Sequence, residues 1–157
     1  MSPVRVEFIN PFVSAVSKTF ETMVNLKVTR AAPELKKNQR TLYPISGIIG
    51  LSGNIVGTVI LTMSEPLALK VASVMLMDDL KTVDPDVLDA IGELTNMVAG
   101  NAKSQLEEYK LSLSLPNVIH GADTEVYFPE HSQPITIPFD TEIGPFAIDV
   151  GFSDRKE

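Results

Sequence analysis

A single α+β domain, with long helices packed on a mainly antiparallel β-sheet, is the fold class that three features of the sequence predict. Helix-spaced apolar residues follow strong capping signals, a glycine-rich apolar stretch carries a turn at its middle, and late apolar runs alternate with Pro, Gly and acidic turns. The first helix is expected to start with Asn10 as cap and Pro11 at the first helical position, where a missing N–H costs nothing. Phe12, Val13, Val16, Phe20, Met23 and Val24 then recur at helical spacing. A strand over 26–30 and a polar connection through 33–40 follow. Gly53-Asn54, between two apolar runs, is a two-residue hairpin signal that joins two strands at the heart of the sheet. A second helix is expected over 65–77. The third is the best marked: Asp84 is its cap, Pro85 its first residue and Asp86 its acidic first turn, and its pattern reaches to about Tyr109. Strands over 117–120, 133–140 and 146–152 complete the chain. Helix, strand and hairpin occur in that order twice, which predicts two degenerate halves of one pseudo-two-fold domain spanning 1–157.

Composition supports this reading and narrows the function. The chain has 157 residues, 44% hydrophobic and 21% charged. A domain of that length buries roughly 68–70% of the surface its unfolded chain exposes, so it requires neither a disulfide nor a structural metal. It contains no Cys, which removes thiolate catalysis, Fe–S ligation and Cys-based zinc sites. Thirteen Lys plus Arg against twenty Asp plus Glu leave a net charge of −7, a sign that repels phosphate backbones and anionic lipid, so neither nucleic acid nor membrane is an expected partner. The opening residues, with Glu7, lack the apolar stretch of a secretory leader, and a cytoplasmic location is expected. The charge-free segment 41–64 is long enough to cross a bilayer, but Pro44, Gly47, Gly50, Gly53 and Gly57 make it a poor helix and a good pair of strands.

The third helix carries the functional signal. At 100° per residue, Val87, Ile91, Leu94, Val98 and Ala102 fall within about 60° of one direction and form a core stripe. Asp89, Glu93, Asn96, Gly100 and Glu107 lie opposite, in line with one another. A lone Glu or Asn there would be an ordinary solvated residue. Gly92 and Gly100, however, each cost about 0.8–1.0 kcal/mol relative to Ala inside a helix. A face that must admit another protein's backbone has a use for Gly100 beside Asn96, because Gly removes the blocking Cβ.

The run from Asp89 to Ala102, Asp-Ala-Ile-Gly-Glu-Leu-Thr-Asn-Met-Val-Ala-Gly-Asn-Ala, resembles the D-x3-E-x2-N helix of the CheC/CheX/FliY family of bacterial chemotaxis phosphatases. The resemblance extends to the glycine-rich hairpin, to Asn10-Pro11-Phe12 and to Ser114-Leu115-Pro116-Asn117-Val118-Ile119. It implies a CheC-like fold. Aligning the first helix on the third sets Glu21 against Glu93 but Val24 against Asn96, with Asn25 displaced by one residue and about 100° of rotation. One intact site is the CheX pattern, whose members resemble one another in being homodimers.

The resemblance implies hydrolysis of the aspartyl phosphate of a phosphorylated CheY-type response regulator, with the regulator's receiver domain bringing Mg²⁺ and a Lys and this chain holding no cofactor or metal. Phosphoryl transfer asks a protein mainly to position a nucleophile and to balance charge. A carboxamide offers donor and acceptor without adding charge, so Asn96 is the candidate for orienting the attacking water. A carboxylate beside a phosphoryl group needs a cation, which assigns Glu93 to the receiver's Lys. Asp89, Thr95, Met97 and Gly100 are the candidate partner-binding residues. A non-catalytic regulator-binding or flagellar-switch-like module of the same fold, or a dimeric sensory domain, is the alternative. His120 and His131 have no metal-ligand spacing around them. Gly47 to Gly57 lead into a strand and so make no phosphate loop, and Met63, Met75 and Met77 read as core filling. The apolar runs Ile135-Thr136-Ile137 and Phe146 to Val150 suggest a late edge strand that pairs with a second copy.

Overall fold

The structure, a computed structural model, describes residues 6–154. The termini of the expected 1–157 domain, including most of the stretch read for a leader, fall outside those residues. Helix α1 spans Ile9–Thr19 and continues as a π-wound turn over Phe20–Val24. Strands β1 (Thr29–Arg30) and β2 (Glu34–Leu35) precede the hairpin of β3 (Ile45–Ser52) and β4 (Ile55–Met63). Helices α2 (Glu65–Leu76) and α3 (Pro85–Ser104) follow, then β5 (Ser112–Leu113), β6 (Asn117–His120), β7 (Ile135–Asp140) and β8 (Pro145–Asp154). Together the strands form one eight-stranded antiparallel sheet in the order β1-β7-β8-β4-β3-β5, with β2 also on β7 and β6 also on β3.

That order is unchanged when the halves are exchanged, β1/β2 with β5/β6, β3 with β7 and β4 with β8. The central β4–β8 ladder runs from Ile55↔Asp154 to Met63↔Phe146, so its middle pair, Val59↔Val150, marks the pseudo-two-fold axis. Helices α1 and α3 pack together on one face of the sheet, tied by the Asn101 Nδ2 donor to Thr19 Oγ1 at 2.9 Å. The alternate residues Ile45, Ile49, Val59, Leu61, Ile137, Ile148 and Val150 form the core beneath them.

Several expectations shift locally. Asn10 is not the cap of α1 but its second residue, with Pro11 third; Phe8 occupies the cap position in helical geometry with no side-chain cap bond. Phe8 is buried against Phe152 (4.5 Å between ring centres) and Tyr109 (5.4 Å). Burying a Phe side chain yields roughly 1.5–3 kcal/mol against about 1 for an Asn cap, and burial wins. Met23, expected on the apolar stripe, is exposed because the π-turn changes the helical register. The 26–30 strand shrinks to two residues.

Helix α3 stops at Ser104 rather than near Tyr109. Continued, it would carry Leu111 to about 200° from the core direction, into solvent. Instead a 3₁₀ turn over Glu107–Tyr109 and a left-handed Lys110 (φ 53°) swing Leu111 inward, where it is buried. Glu107 therefore leaves the helical face assigned to it. The Gly53-Asn54 turn does join β3 to β4, yet no glycine among the described residues has positive φ, so the expected turn type is not used. Three residues separate the last pair, Ser52↔Val56. Gly53 is required because a Cβ would overlap the carbonyl oxygens of Tyr109 and Lys110.

Strand β8 is paired on both sides, to β4 and β7, which corrects the expectation that 146–150 forms a free edge. The sheet ends instead at β1/β2 and β5/β6. Met63 is core, as expected, whereas Met75 is half-buried and Met77 is exposed as the left-handed cap of α2.

The far face of the sheet is covered by the segments 36–44 and 121–134, which are joined by Arg40↔Glu125. Beneath them Asp149 is fully buried, accepting from Thr136 Oγ1 at 2.6 Å and lying 3.0 Å from the buried Lys36 ammonium, which also donates to the Arg40 carbonyl. Removing one member of such a pair leaves a buried charge uncompensated, at a cost of about 3–5 kcal/mol. Asp149→Ala should therefore lower the urea midpoint by an amount of that order. Arg40→Ala, which breaks a half-exposed pair with Glu125, should cost less than about 1 kcal/mol. Equal shifts for the two variants would contradict this assignment.

Candidate active face on helix α3

Helix α3 is capped as its sequence requires: Asp84 Oδ1 accepts from the Val87 N–H at 3.0 Å, and Pro85 takes the first position. Its core stripe of Val87, Ile91, Leu94, Val98 and Ala102 is buried throughout. The roll of the helix about its axis is set by Thr95 and Gly47. Thr95 is 1% exposed, donates its hydroxyl to the Ile91 carbonyl at 2.7 Å, and lies directly against Gly47 of β3, where a Cβ would overlap its Oγ1. Thr95 is thereby corrected from a partner-contacting residue to the residue that seats the helix on the sheet.

With that roll, Asp89, Glu93 and Asn96 all face outward and are exposed, Gly100 is partly exposed in line with them, and Met97 is half-buried at their margin. Successive members are three or four residues apart, so each lies about 4.5–6 Å further along the axis. None of the Asp89, Glu93 or Asn96 side chains has a hydrogen-bond or ion-pair partner among the described residues. The two helical glycines separate by role. A Cβ on Gly92 would come within 3.1 Å of Val118 Cγ2 on β6, so Gly92 serves internal packing. A Cβ on Gly100 would meet nothing within 4 Å, so no internal contact requires it.

One wall of the face escaped the sequence reading. Pro116, Asn117 and Val118 rise beside α3 and, with Pro85, Leu88, Asp89, Gly92 and Glu93, enclose a groove of about 420 Å³ open to solvent. The available signal was Gly92, whose position toward the core side implied a close neighbour. The corresponding face of α1 is incomplete: Glu21 is exposed, but Val24 is buried and Asn25 is the left-handed cap that ends the helix at φ 56°. His120 lies 3.6 Å from Glu65 and His131 4.0 Å from Glu130. No cluster of three or more His, Asp or Glu suited to a metal occurs among the described residues. No helix among them is long and apolar enough to cross a membrane, and 41–64 forms strands.

Residues 45–140 match the family described as chemotaxis phosphatase CheX. The crystal structure of the chemotaxis protein CheX from Desulfovibrio desulfuricans is similar with a TM-score of 0.85 and 31% identity, covering 94% of this chain and 99% of that one. The CheX–CheY–BeF₃–Mg²⁺ complex from Borrelia burgdorferi is similar with a TM-score of 0.76 and 25% identity, over 97% of this chain and 100% of that one. The CheY-P phosphatase CheX of Thermotoga maritima is 28% identical over 121 residues, 75% of this chain and 78% of that protein.

The contact that orients the face is testable on its own. Gly47→Ala forces a methyl group into Thr95 and should cost about 1–3 kcal/mol, the range for overpacking a tight core. Adding Thr95→Ala removes the nearest atoms and should recover part of the loss. Urea midpoints of the four species report the coupling. A neutral Gly47→Ala would show that Thr95 does not set the roll of α3.

Proposed function

The chain belongs to the CheX family of chemotaxis phosphatases, and on that premise we propose that the outward face of α3 hydrolyses the aspartyl phosphate of a CheY-type response regulator. The observation that carries this reading is the pair Glu93 and Asn96: exposed, one turn apart, and free of internal partners among the described residues. A side chain that stabilises nothing at home is available to a partner.

The receiver domain holds Mg²⁺ and a Lys against the phosphoryl oxygens, and α3 adds what that site lacks, a positioned water. Asn96 accepts a hydrogen bond from the water through its carbonyl and donates from its amide toward the phosphoryl group, fixing the nucleophile in line with the scissile bond. The water oxygen bonds to phosphorus as the P–O bond to the aspartate breaks. Phosphate leaves with both of the water's protons, as dihydrogen phosphate that equilibrates with solvent, and the receiver's carboxylate is regenerated. Glu93 pairs with the receiver's Lys and registers the helix. Asp89, Met97 and Gly100 border the contact, with Gly100 leaving room for the partner's backbone. The reaction is assigned to the cytoplasm, in keeping with a chain that has no Cys.

Asn96→Ala should slow phosphate release from phosphorylated receiver by 10²-fold or more, since a well-placed catalytic hydrogen-bonding group is worth about that much. Its unfolding free energy should stay within about 0.5 kcal/mol of wild type, because the side chain is exposed. Turnover near wild type would remove Asn96 from the mechanism, and early unfolding would make it a structural residue.

We further propose that the protein is a homodimer joined away from α3. The β1/β2 end of the sheet presents an open edge and carries Leu35, which is 57% exposed. Pairing there leaves both active faces open to receivers. Light scattering at micromolar concentration should return twice the chain mass; a monomer at that concentration would refute the dimer.

A further inference from the structure

The docking face of α3 does not end at Gly100. Lys103 is seven residues beyond Asn96, two turns that return it to within about 20° of the Asn96 direction and place it about 10.5 Å further along the axis. Lys110 follows the helix, turned back by its left-handed backbone and by its N–H donating to the Glu107 carbonyl at 3.0 Å. With Gly100, Ser104, Glu107 and Leu111, the two lysines line an open groove of about 350 Å³. Both lysines are exposed, and neither ammonium has a carboxylate within 4 Å among the described residues, although Glu107 lines the same groove.

A basic residue in the last turn is ordinarily explained by the helix dipole, which favours a cation there. That explanation covers Lys103 but not Lys110, which lies past the helix end, and it does not account for their shared groove on the Asn96 side. The opposite end of the face carries Asp86, Asp89 and Glu93. Along one helix, therefore, charge runs from negative through the neutral Asn96 and Gly100 to Lys103, with Lys110 beyond the helix end beside Glu107 and Glu108, on a chain whose net charge is −7.

We propose that Lys103 and Lys110 bind an acidic patch on the receiver and fix the direction in which α3 lies across it; this inference rests on the function proposed above. In the productive direction Glu93 meets the receiver's Lys, and Lys103, about 15 Å further along the axis, meets receiver carboxylates together with Lys110. In the reversed direction the acidic end of α3 faces those carboxylates and is repelled, so the charge gradient also rejects the unproductive pose. Because the roughly 10.5 Å rise between Asn96 and Lys103 exceeds the screening length of about 8 Å at physiological ionic strength, the lysines act on docking and not on the reacting phosphoryl group.

The test compares wild type, Lys103→Glu/Lys110→Glu and Lys103→Arg/Lys110→Arg, using receiver loaded with Mg²⁺ and beryllofluoride for binding and phosphorylated receiver for turnover. The double Glu variant should raise Kd and KM about tenfold or more, change kcat less than about twofold and flatten the salt dependence of KM, while the Arg variant retains wild-type values. If the Glu variant misfolds, Lys103→Ala/Lys110→Ala should show the same trend at smaller size. Kd and its salt dependence unchanged in the charge variants would overturn the inference, as would a fall in kcat at constant KM. Wild type that binds receiver without hydrolysing it, with binding lost in the Glu variant, would support this inference and overturn the catalytic reading alone.

Discussion

The contact between Thr95 and Gly47 decides what this protein can show to a partner. A helix on a sheet can roll about its axis, and at 100° per residue a small roll exchanges which residues are buried. Here the glycine lets Thr95 descend onto β3, the Ile91 carbonyl satisfies its hydroxyl, and the five-residue apolar stripe closes on the core. The rotation is then fixed, so Glu93 and Asn96 must point outward. Functional geometry on an exposed face is in this way a product of packing on the hidden one.

The sheet beneath is built as two related halves around Val59 and Val150, but only one half keeps a complete face. The difference between α1 and α3 is a matter of local winding. In α3 regular geometry continues past Asn96 for two turns. In α1 a π-turn and a left-handed Asn25 end the helix where the second carboxamide would be needed, and Val24 is drawn into the core. A pseudo-symmetric scaffold thus carries one complete candidate face, with the corresponding position in α1 given over to structure.

Much of this was legible in the sequence because long elements report themselves by period and caps. The hairpin, α2, the start of α3 and its apolar stripe follow from Gly53-Asn54, Glu65-Pro66, Asp84-Pro85 and 3.6-residue spacing, while the Ser64 cap of α2 emerges only in the structure. What was not legible depends on contacts remote in sequence. Thr95 lies about 40° from Ile91, inside the arc of the core stripe, so its angle alone points inward; what the sequence does not show is its seat against Gly47, 48 positions earlier. The end of α3 was overrun because apolar spacing through Leu106 and Tyr109 imitates continued helix, whereas burial of Leu111 requires a break. The expected free edge at 146–150 failed because apolar content marks a buried strand without saying how many neighbours it has, and β8 has two. The groove wall at 116–118 depends on β6 pairing with β3, which no local pattern announces.

The central claim is that α3 acts on a receiver through the face that Thr95 turns outward. Its most direct test is a structure of this chain bound to a receiver loaded with Mg²⁺ and beryllofluoride. The account predicts the Asn96 carboxamide within hydrogen-bonding distance of the in-line position at the phosphoryl mimic, with Glu93 against the receiver's active-site Lys. A complex in which that face of α3 stays in solvent, or in which the receiver docks elsewhere with its active site uncovered, would contradict it.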